Sequence, residues 1–310
     1  MEHSQGTDGN DRPCVLVTND DGIHAPGLRA LVSALVDSGA CQVFVCAPVR
    51  DQSGVSHSLT IHENLVARSI EIKGAIAYAV SGTPADCVSL SLSGVLFPPI
   101  KPSLVLSGIN KGCNCGYHIY YSGTVAGARE AVICGVPAIS LSLNWNRRES
   151  VPSDFAAAAG ICLPLIKAAL RDLDKGILSA SLFLNIDIPT SPSNHKGFKV
   201  TKQGTARYPL RWRTASPQVK GGAIAAGGWD VHSTMSVEGK PLAESSPFGN
   251  TEIADVHFCI DYTLADTLKM GSDDDFGAVE SGLVAVTPLA LVSQDNSDFF
   301  NQLIDWISTL

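Results

Sequence analysis

A chain of 310 residues with 45% hydrophobic and 17% charged side chains has the make-up of a folded protein with a sizeable core, which excludes an intrinsically disordered chain. Its formal net charge of −8 is offset by no basic tract, which excludes broad affinity for duplex nucleic acid or anionic membranes. The polar opening from Met1 to Arg12 lacks the apolar stretch of a secretory signal, and no run of about 18 apolar residues marks a membrane span. Cys14, Cys46, Cys134, Cys162 and Cys259 lie inside apolar runs, as small buried hydrophobes of a reducing compartment would, so a cytoplasmic protein is expected. Cys113 and Cys115 are too closely spaced for a zinc knuckle.

After a tail over residues 1–12, expected to be disordered, the first element is the apolar run from Cys14 to Thr18. It reads as a buried strand and runs directly into Asn19, Asp20, Asp21 and Gly22. The chain breaks again at Pro26 and Gly27, then resumes as a helical pattern. Further strands are expected over Val43–Ala47, Ile76–Val80, Leu104–Leu106, Ala138–Leu143 and Leu182–Ile186. Helical spacing falls between them at Gly27–Ser38, Asp86–Ser93, Gly123–Cys134 and Asp154–Leu173. Apolar strands alternating with helices imply a parallel sheet covered on both faces over residues 13–189. Residues 190–254 are rich in Gly, Ser, Thr and Lys and too long for an ordinary loop. They are expected to form a β-rich extension, either an oligomer arm or a lid. Residues 255–310 complete the domain with strands at Val256–Tyr262 and Leu283–Thr287 and an amphipathic helix at Phe299–Leu310.

Each strand run ends in small polar residues, and in a parallel sheet those ends share one edge. The first end carries Asp20 and Asp21, the second leads to Ser53, and the fourth carries Asn110. Adjacent carboxylates repel each other and lose solvation when drawn into a site, a cost that a divalent cation removes. Two carboxylates, a hydroxyl and an amide oxygen are hard donors suited to Mg²⁺, Mn²⁺ or Ca²⁺ rather than zinc. Asn-Asp-Asp-Gly is also ordinary turn chemistry. Ser122, Gly123 and Thr124 open an apolar helix and offer hydroxyls and backbone N–H groups to an anion, or act as a plain helix cap. Asn114, just upstream, could donate to the same anion. The dinucleotide fingerprint G-x-G-x-x-G and the P-loop are both absent. His24, His57, His62 and His118 lack metal-ligand spacing, Ser81 to Asp86 reads as a turn feeding a capped helix, and Asp273, Asp274 and Asp275 read as a solvated loop or helix entry.

Five stretches together resemble the SurE survival-protein family: residues 17–27, 47–54, 81–88, 106–112 and 121–128, with a looser sixth at 284–289. They read Val-Thr-Asn-Asp-Asp-Gly-Ile-His-Ala-Pro-Gly, Ala-Pro-Val-Arg-Asp-Gln-Ser-Gly, Ser-Gly-Thr-Pro-Ala-Asp-Cys-Val, Leu-Ser-Gly-Ile-Asn-Lys-Gly and Tyr-Ser-Gly-Thr-Val-Ala-Gly-Ala. The resemblance implies a metal-dependent phosphatase of nucleoside monophosphates, a 5′- and possible 3′-nucleotidase, with Asp20, Asp21, Ser53 and Asn110 as metal ligands. It implies phosphate contacts at Asn114, Ser122, Gly123 and Thr124, to which Asn19 is added. Tyr117-His118-Ile119-Tyr120 stands where bacterial members often carry acidic residues and is similar to plant members.

The expected fold is therefore α/β: a Rossmann-like, mostly parallel sheet with helices on both faces and a β-rich C-terminal extension. The expected enzyme holds one divalent cation per subunit, Mg²⁺ or Mn²⁺ with Ca²⁺ able to occupy the site. It is expected to form a dimer or tetramer and to use Asp20 and Asp21 in catalysis. The alternative is a Mg²⁺-binding receiver-like module without hydrolysis, against which the third strand run ends in Ser81-Gly82-Thr83 rather than an aspartate.

Overall fold

The apolar run that opens the sequence becomes the middle of the sheet. The computed structural model describes residues 12–97, 101–175, 178, 181–206, 211–215, 256–261 and 273–291. Within them, β1 (Cys14–Thr18), β2 (Gln42–Pro48), β3 (Ala67–Ile72), β4 (Ala75–Val80), β5 (Leu104–Lys111), β6 (Ala138–Leu143), β7 (Leu182–Ile188), β8 (Phe198–Val200) and β11 (Val284–Ala290) make one sheet. Its order is β3-β4-β2-β1-β5-β6-β7-β11-β8. From β4 to β7 all neighbours are parallel, while β3 and β11 run antiparallel to β4 and β7. The chain winds outward from β1 through β2 to β4, then returns to place β5 on the other side of β1. The strand order thus reverses between β1 and β5, and it is at such a reversal that open α/β sheets bind ligands beyond their strand ends.

The alternation of β1 builds a core on each face. Val15 and Val17 pack with Leu28, Leu31, Val32 and Leu35 of α1 (Pro26–Ser38) and Phe155, Cys162 and Ile166 of α4 (Asp154–Arg171). Leu16 packs on the opposite face with Cys87 and Val88 of α2 (Pro84–Leu92) and Val125, Ala128 and Val132 of α3 (Gly123–Ile133). Among the described residues no helix is long and apolar enough to cross a membrane.

Several expectations are corrected. Helix α2 starts at Pro84 rather than Asp86, because Thr83 accepts from the Asp86 N–H while Asp86 accepts from the Thr83 N–H, a full capping box. Strand β3 was not expected, since Ala67–Ile72 is largely exposed at the sheet edge and needs no apolar run. Strand β11 extends to Ala290. The acidic run at 273–275 is the helix entry of its two expected readings, since Asp274 caps α5 (Asp275–Glu280), but it is not all solvated: Asp275 is fully buried. All nine cysteines are free thiols, but Cys134, just past the end of α3, is exposed, and Cys14 and Cys259 are half-buried. Of the expected extension, residues 211–215 form β9 (Arg211–Ala215), which pairs antiparallel with β10 (His257–Asp261) in a separate two-stranded sheet. The remainder of that stretch from 216, the tail at 1–11 and the helix expected at 299–310 lie outside the described residues.

Helix α1 begins hard against β5. A Cβ on Gly27 would lie 1.9 Å from the Ile109 carbonyl oxygen and 3.0 Å from the Phe155 ring, so only glycine allows this approach. Gly160, inside α4, has nothing within 4 Å of its would-be Cβ. Gly27→Ala is expected to lower unfolding stability by about 1–3 kcal/mol or more, whereas Gly160→Ala raises it by about 0.5–1 kcal/mol. Denaturant unfolding of the two variants measures both, and a Gly27→Ala protein as stable as the parent would contradict the packing.

Candidate active site

Beyond β1 the chain must turn within a few residues, and its hydrogen bonds go to the turn itself and to the neighbouring strand end. The Asn19 side-chain amide donates to the Gly22 carbonyl at 3.0 Å, and the Ile23 N–H donates to the Pro48 carbonyl at 2.9 Å. Gly22 has φ +102°, and its Cα lies against the Arg50 backbone, where a Cβ would come within 3.3 Å. The turn leaves Asp20 buried and Asp21 half-buried beside it. Asn19 Oδ1 is buried without a hydrogen-bond partner among the described residues.

Three other segments meet this turn. The Gln52 N–H donates to the Asp20 carbonyl at 2.7 Å, which places Ser53 one residue from the turn; the Ser53 N–H itself donates to Asp51. At the end of β5, the pairing with β6 shifts register between Ser107 and Asn110, a bulge of the kind that re-aims side chains near sites. The Asn110 amide nitrogen donates to the Gly112 carbonyl at 2.8 Å, which sets its oxygen on the other side of the amide. The next N–H, of Lys111, donates to Asp21 Oδ2 at 3.0 Å, while its ammonium lies 4.9 Å from the centre of the Trp145 ring.

The third segment is the start of α3. Ser122 caps the helix by accepting from the Val125 N–H at 3.0 Å. The Thr124 hydroxyl donates to Asp20 Oδ1. The carboxylate is thereby held at the positive end of the helix dipole. Gly123 is what lets the helix come this close, because a Cβ there would sit 2.8 Å from Asp20 Cβ. The structure therefore brings Asp20, Asp21, Asn110, Ser122, Gly123 and Thr124 together, with Ser53 on an adjoining segment. Thr124 faces the carboxylate rather than standing alone as an anion donor.

Both carboxyls are held above the ordinary carboxylate range. For Asp20 the main cause is burial, opposed by the hydrogen bond from the Thr124 hydroxyl. For Asp21 it is burial, then repulsion from Asp20, opposed by the Lys111 N–H; Asp51 adds to the negative field on both. Among the described residues no group of three His, Cys, Asp or Glu side chains is placed to hold a metal ion. A cation here would rest instead on the two carboxylates completed by the Asn110 amide and Ser53 hydroxyl oxygens. That hard-oxygen set fits Mg²⁺, Mn²⁺ or Ca²⁺.

Residues 15–209 match the model of the family described as survival protein SurE. The 5′-nucleotidase SurE of Symbiobacterium thermophilum is 35% identical over 294 residues, covering 93% of this chain and 97% of that protein. The chain belongs to the SurE family. The 5′-nucleotidase SurE of Geotalea daltonii is 44% identical over 195 residues, 63% of this chain and 73% of that protein. The crystal structure of the SurE protein from Aquifex aeolicus matches with a TM-score of 0.68 at 33% identity, covering 96% of this chain and 100% of that one.

In this SurE-family chain, residues that sequence reasoning passed over hold the Asn114 loop. The Asn114 N–H donates to Asp187 at 2.6 Å, its carbonyl accepts from Asn185 at 3.0 Å, and its side-chain nitrogen donates to the Ser142 hydroxyl at 2.8 Å. Asp187 and Asn185 are fully buried in β7, and Asn185 also donates to Asp187. Asp275 accepts from the Gly116 and Gly204 N–H groups, joining that loop to the C-terminal segment. Two polar side chains inside the otherwise apolar Leu182–Ile188 strand were the available signal.

The sign of the pH dependence follows from the raised carboxyls. In the metal-free protein the native state holds more protons than the unfolded chain, so stability falls as pH rises from about 4 into the neutral range. Asp21→Asn is expected to raise the melting temperature of the metal-free protein at pH 7 and to flatten its decline with pH. Thermal melts in chelator from pH 5 to 8 measure this, and an unchanged decline in the variant would contradict it.

Proposed function

We propose that this chain is a divalent-metal-dependent phosphomonoesterase that hydrolyses nucleoside monophosphates to nucleoside and inorganic phosphate. The observation that carries the reading is the meeting of the Asp20–Asp21 pair with Asn110 and the start of α3 at the strand-order reversal between β1 and β5. The 5′-nucleotidase names of relatives similar over nearly the whole chain point the same way.

Asp20, Asp21, Asn110 and Ser53 would hold Mg²⁺ or Mn²⁺. When bound, such a cation polarises the phosphoryl group and neutralises charge developing during in-line displacement. The protein's own groups do the rest. The Ser122 hydroxyl, the Gly123 N–H at the start of α3 and the Asn114 amide are assigned to the phosphate oxygens, where oriented donors stabilise developing negative charge. Thr124 fixes Asp20 in place through its hydroxyl, so Asp20 serves mainly as a ligand. Asp21, held by the Lys111 N–H, is the carboxylate assigned to take the proton of the attacking water.

A receiver-like module would need an acceptor aspartate on a strand end beside β1. The neighbours here end in Pro48 and in Asn110-Lys111. With AMP and Mn²⁺ or Mg²⁺ the protein is expected to release inorganic phosphate, and chelator abolishes the release. Asp20→Asn and Asp21→Asn are expected to fold yet lose at least ~100-fold in kcat/KM, the upper end of the loss seen for residues one layer further from a metal. Parent-like phosphate release by either variant, or full activity in chelator, would sink the reading.

A further inference from the structure

Residues 49–66, between β2 and β3, contain no helix or strand, and an irregular connection of that length inside a packed domain is unusual. This one carries Ser53, and it is fastened along its length. Besides the Gln52 bond to Asp20, the Ser56 N–H and hydroxyl donate to the Tyr121 and Tyr120 carbonyls at 3.0 and 2.5 Å. Ser56 holds φ +57°, a left-handed backbone for which a non-glycine residue needs such support. Further on, the Ser58 carbonyl accepts from the Thr83 hydroxyl, and Thr60 donates to Asp86 through both its N–H and its hydroxyl.

The longest reach is made by His57. Its Nε2 lies 2.9 Å from Glu130 Oε2, a carboxylate on α3, six residues beyond Thr124. Glu130 is only 7% exposed, and a carboxylate buried to that degree needs a partner. The Cys134 thiol lies 3.7 Å from Oε1, but the partner of Oε2 comes from the loop that bears Ser53, while the helix that bears Glu130 begins with the proposed phosphate donors.

We propose that the His57–Glu130 pair is a positioning latch that sets the Ser53 loop against α3, so that the cation ligand and the phosphate-binding helix start are held as one unit. The proposal rests on the reading of Ser53 as a cation ligand. His57 acts only through Ser53 and touches neither cation nor substrate.

The test is a double-variant cycle on the full-length protein, read by calorimetric Mn²⁺ binding and by the Mn²⁺ dependence of AMP hydrolysis. Breaking the latch with His57→Ala is expected to weaken Mn²⁺ binding ~10-fold, as loss of a group orienting a metal ligand commonly does. Turnover at saturating Mn²⁺ stays within about threefold of the parent in the same comparison. His57→Gln, whose amide can still donate to Glu130, restores most of the affinity, and Glu130→Ala, which removes the acceptor, provides the same test from the helix side should His57→Ala fold poorly. In the Ser53→Ala background, His57→Ala adds little, because coupled groups are not additive. Unchanged Mn²⁺ affinity in both His57→Ala and Glu130→Ala overturns the latch, as does full additivity with Ser53→Ala. Unchanged affinity in Ser53→Ala alone overturns the ligand reading on which the latch rests.

Discussion

Asp20 and Asp21 stand side by side just beyond the C-terminal end of β1, where burial raises the proton affinity of both and repulsion from Asp20 raises that of Asp21 further. Most of the surrounding structure answers that constraint. Thr124 brings a hydroxyl and the positive end of a helix to Asp20, and Lys111 brings a backbone N–H to Asp21. These bonds reduce the cost of burying the pair without neutralising it, so the residual negative charge remains available for a cation.

The fold places these groups by making three close approaches. Gly27 lets α1 lie on β5, Gly22 lets the turn lie on Arg50, and Gly123 lets α3 reach Asp20. Each is a contact that a single methyl group would obstruct. The strand-order reversal does the remaining work, because it brings the ends of β1 and β5 together although their sequences lie some ninety residues apart. Behind them, Asp187 and Asn185 hold the backbone of Asn114 from within the sheet, while Ser56 of the 49–66 segment holds the Tyr120 and Tyr121 carbonyls further along, so the loop proposed for phosphate contact is supported at both ends.

Much of this was legible in the chain itself. The β1 run, its two carboxylates and the Ser-Gly-Thr helix start are local features, written in consecutive residues with a known physical meaning. The parallel sheet followed from apolar runs alternating with helical spacing. What escaped was what depends on distant partners. Strand β3 hides because an exposed edge strand needs no apolar signature, and the buried role of Asp275 hides inside an acidic run that looks solvated. The His57–Glu130 pair joins residues 73 apart, and no spacing rule connects them. Thr124 was legible as an anion donor, but only the folded arrangement reveals that Asp20 already takes its hydroxyl.

The central claim is that the two carboxylates of this SurE-family chain exist to hold a divalent cation together with oxygens from two other segments. Anomalous diffraction at the manganese edge, from crystals grown with Mn²⁺, tests it most directly. The account predicts a metal peak bound by carboxylate oxygens of both Asp20 and Asp21, with the Asn110 amide oxygen and the Ser53 hydroxyl among its remaining ligands. A manganese peak elsewhere in the chain, with the Asp20–Asp21 pair uncoordinated, would contradict it.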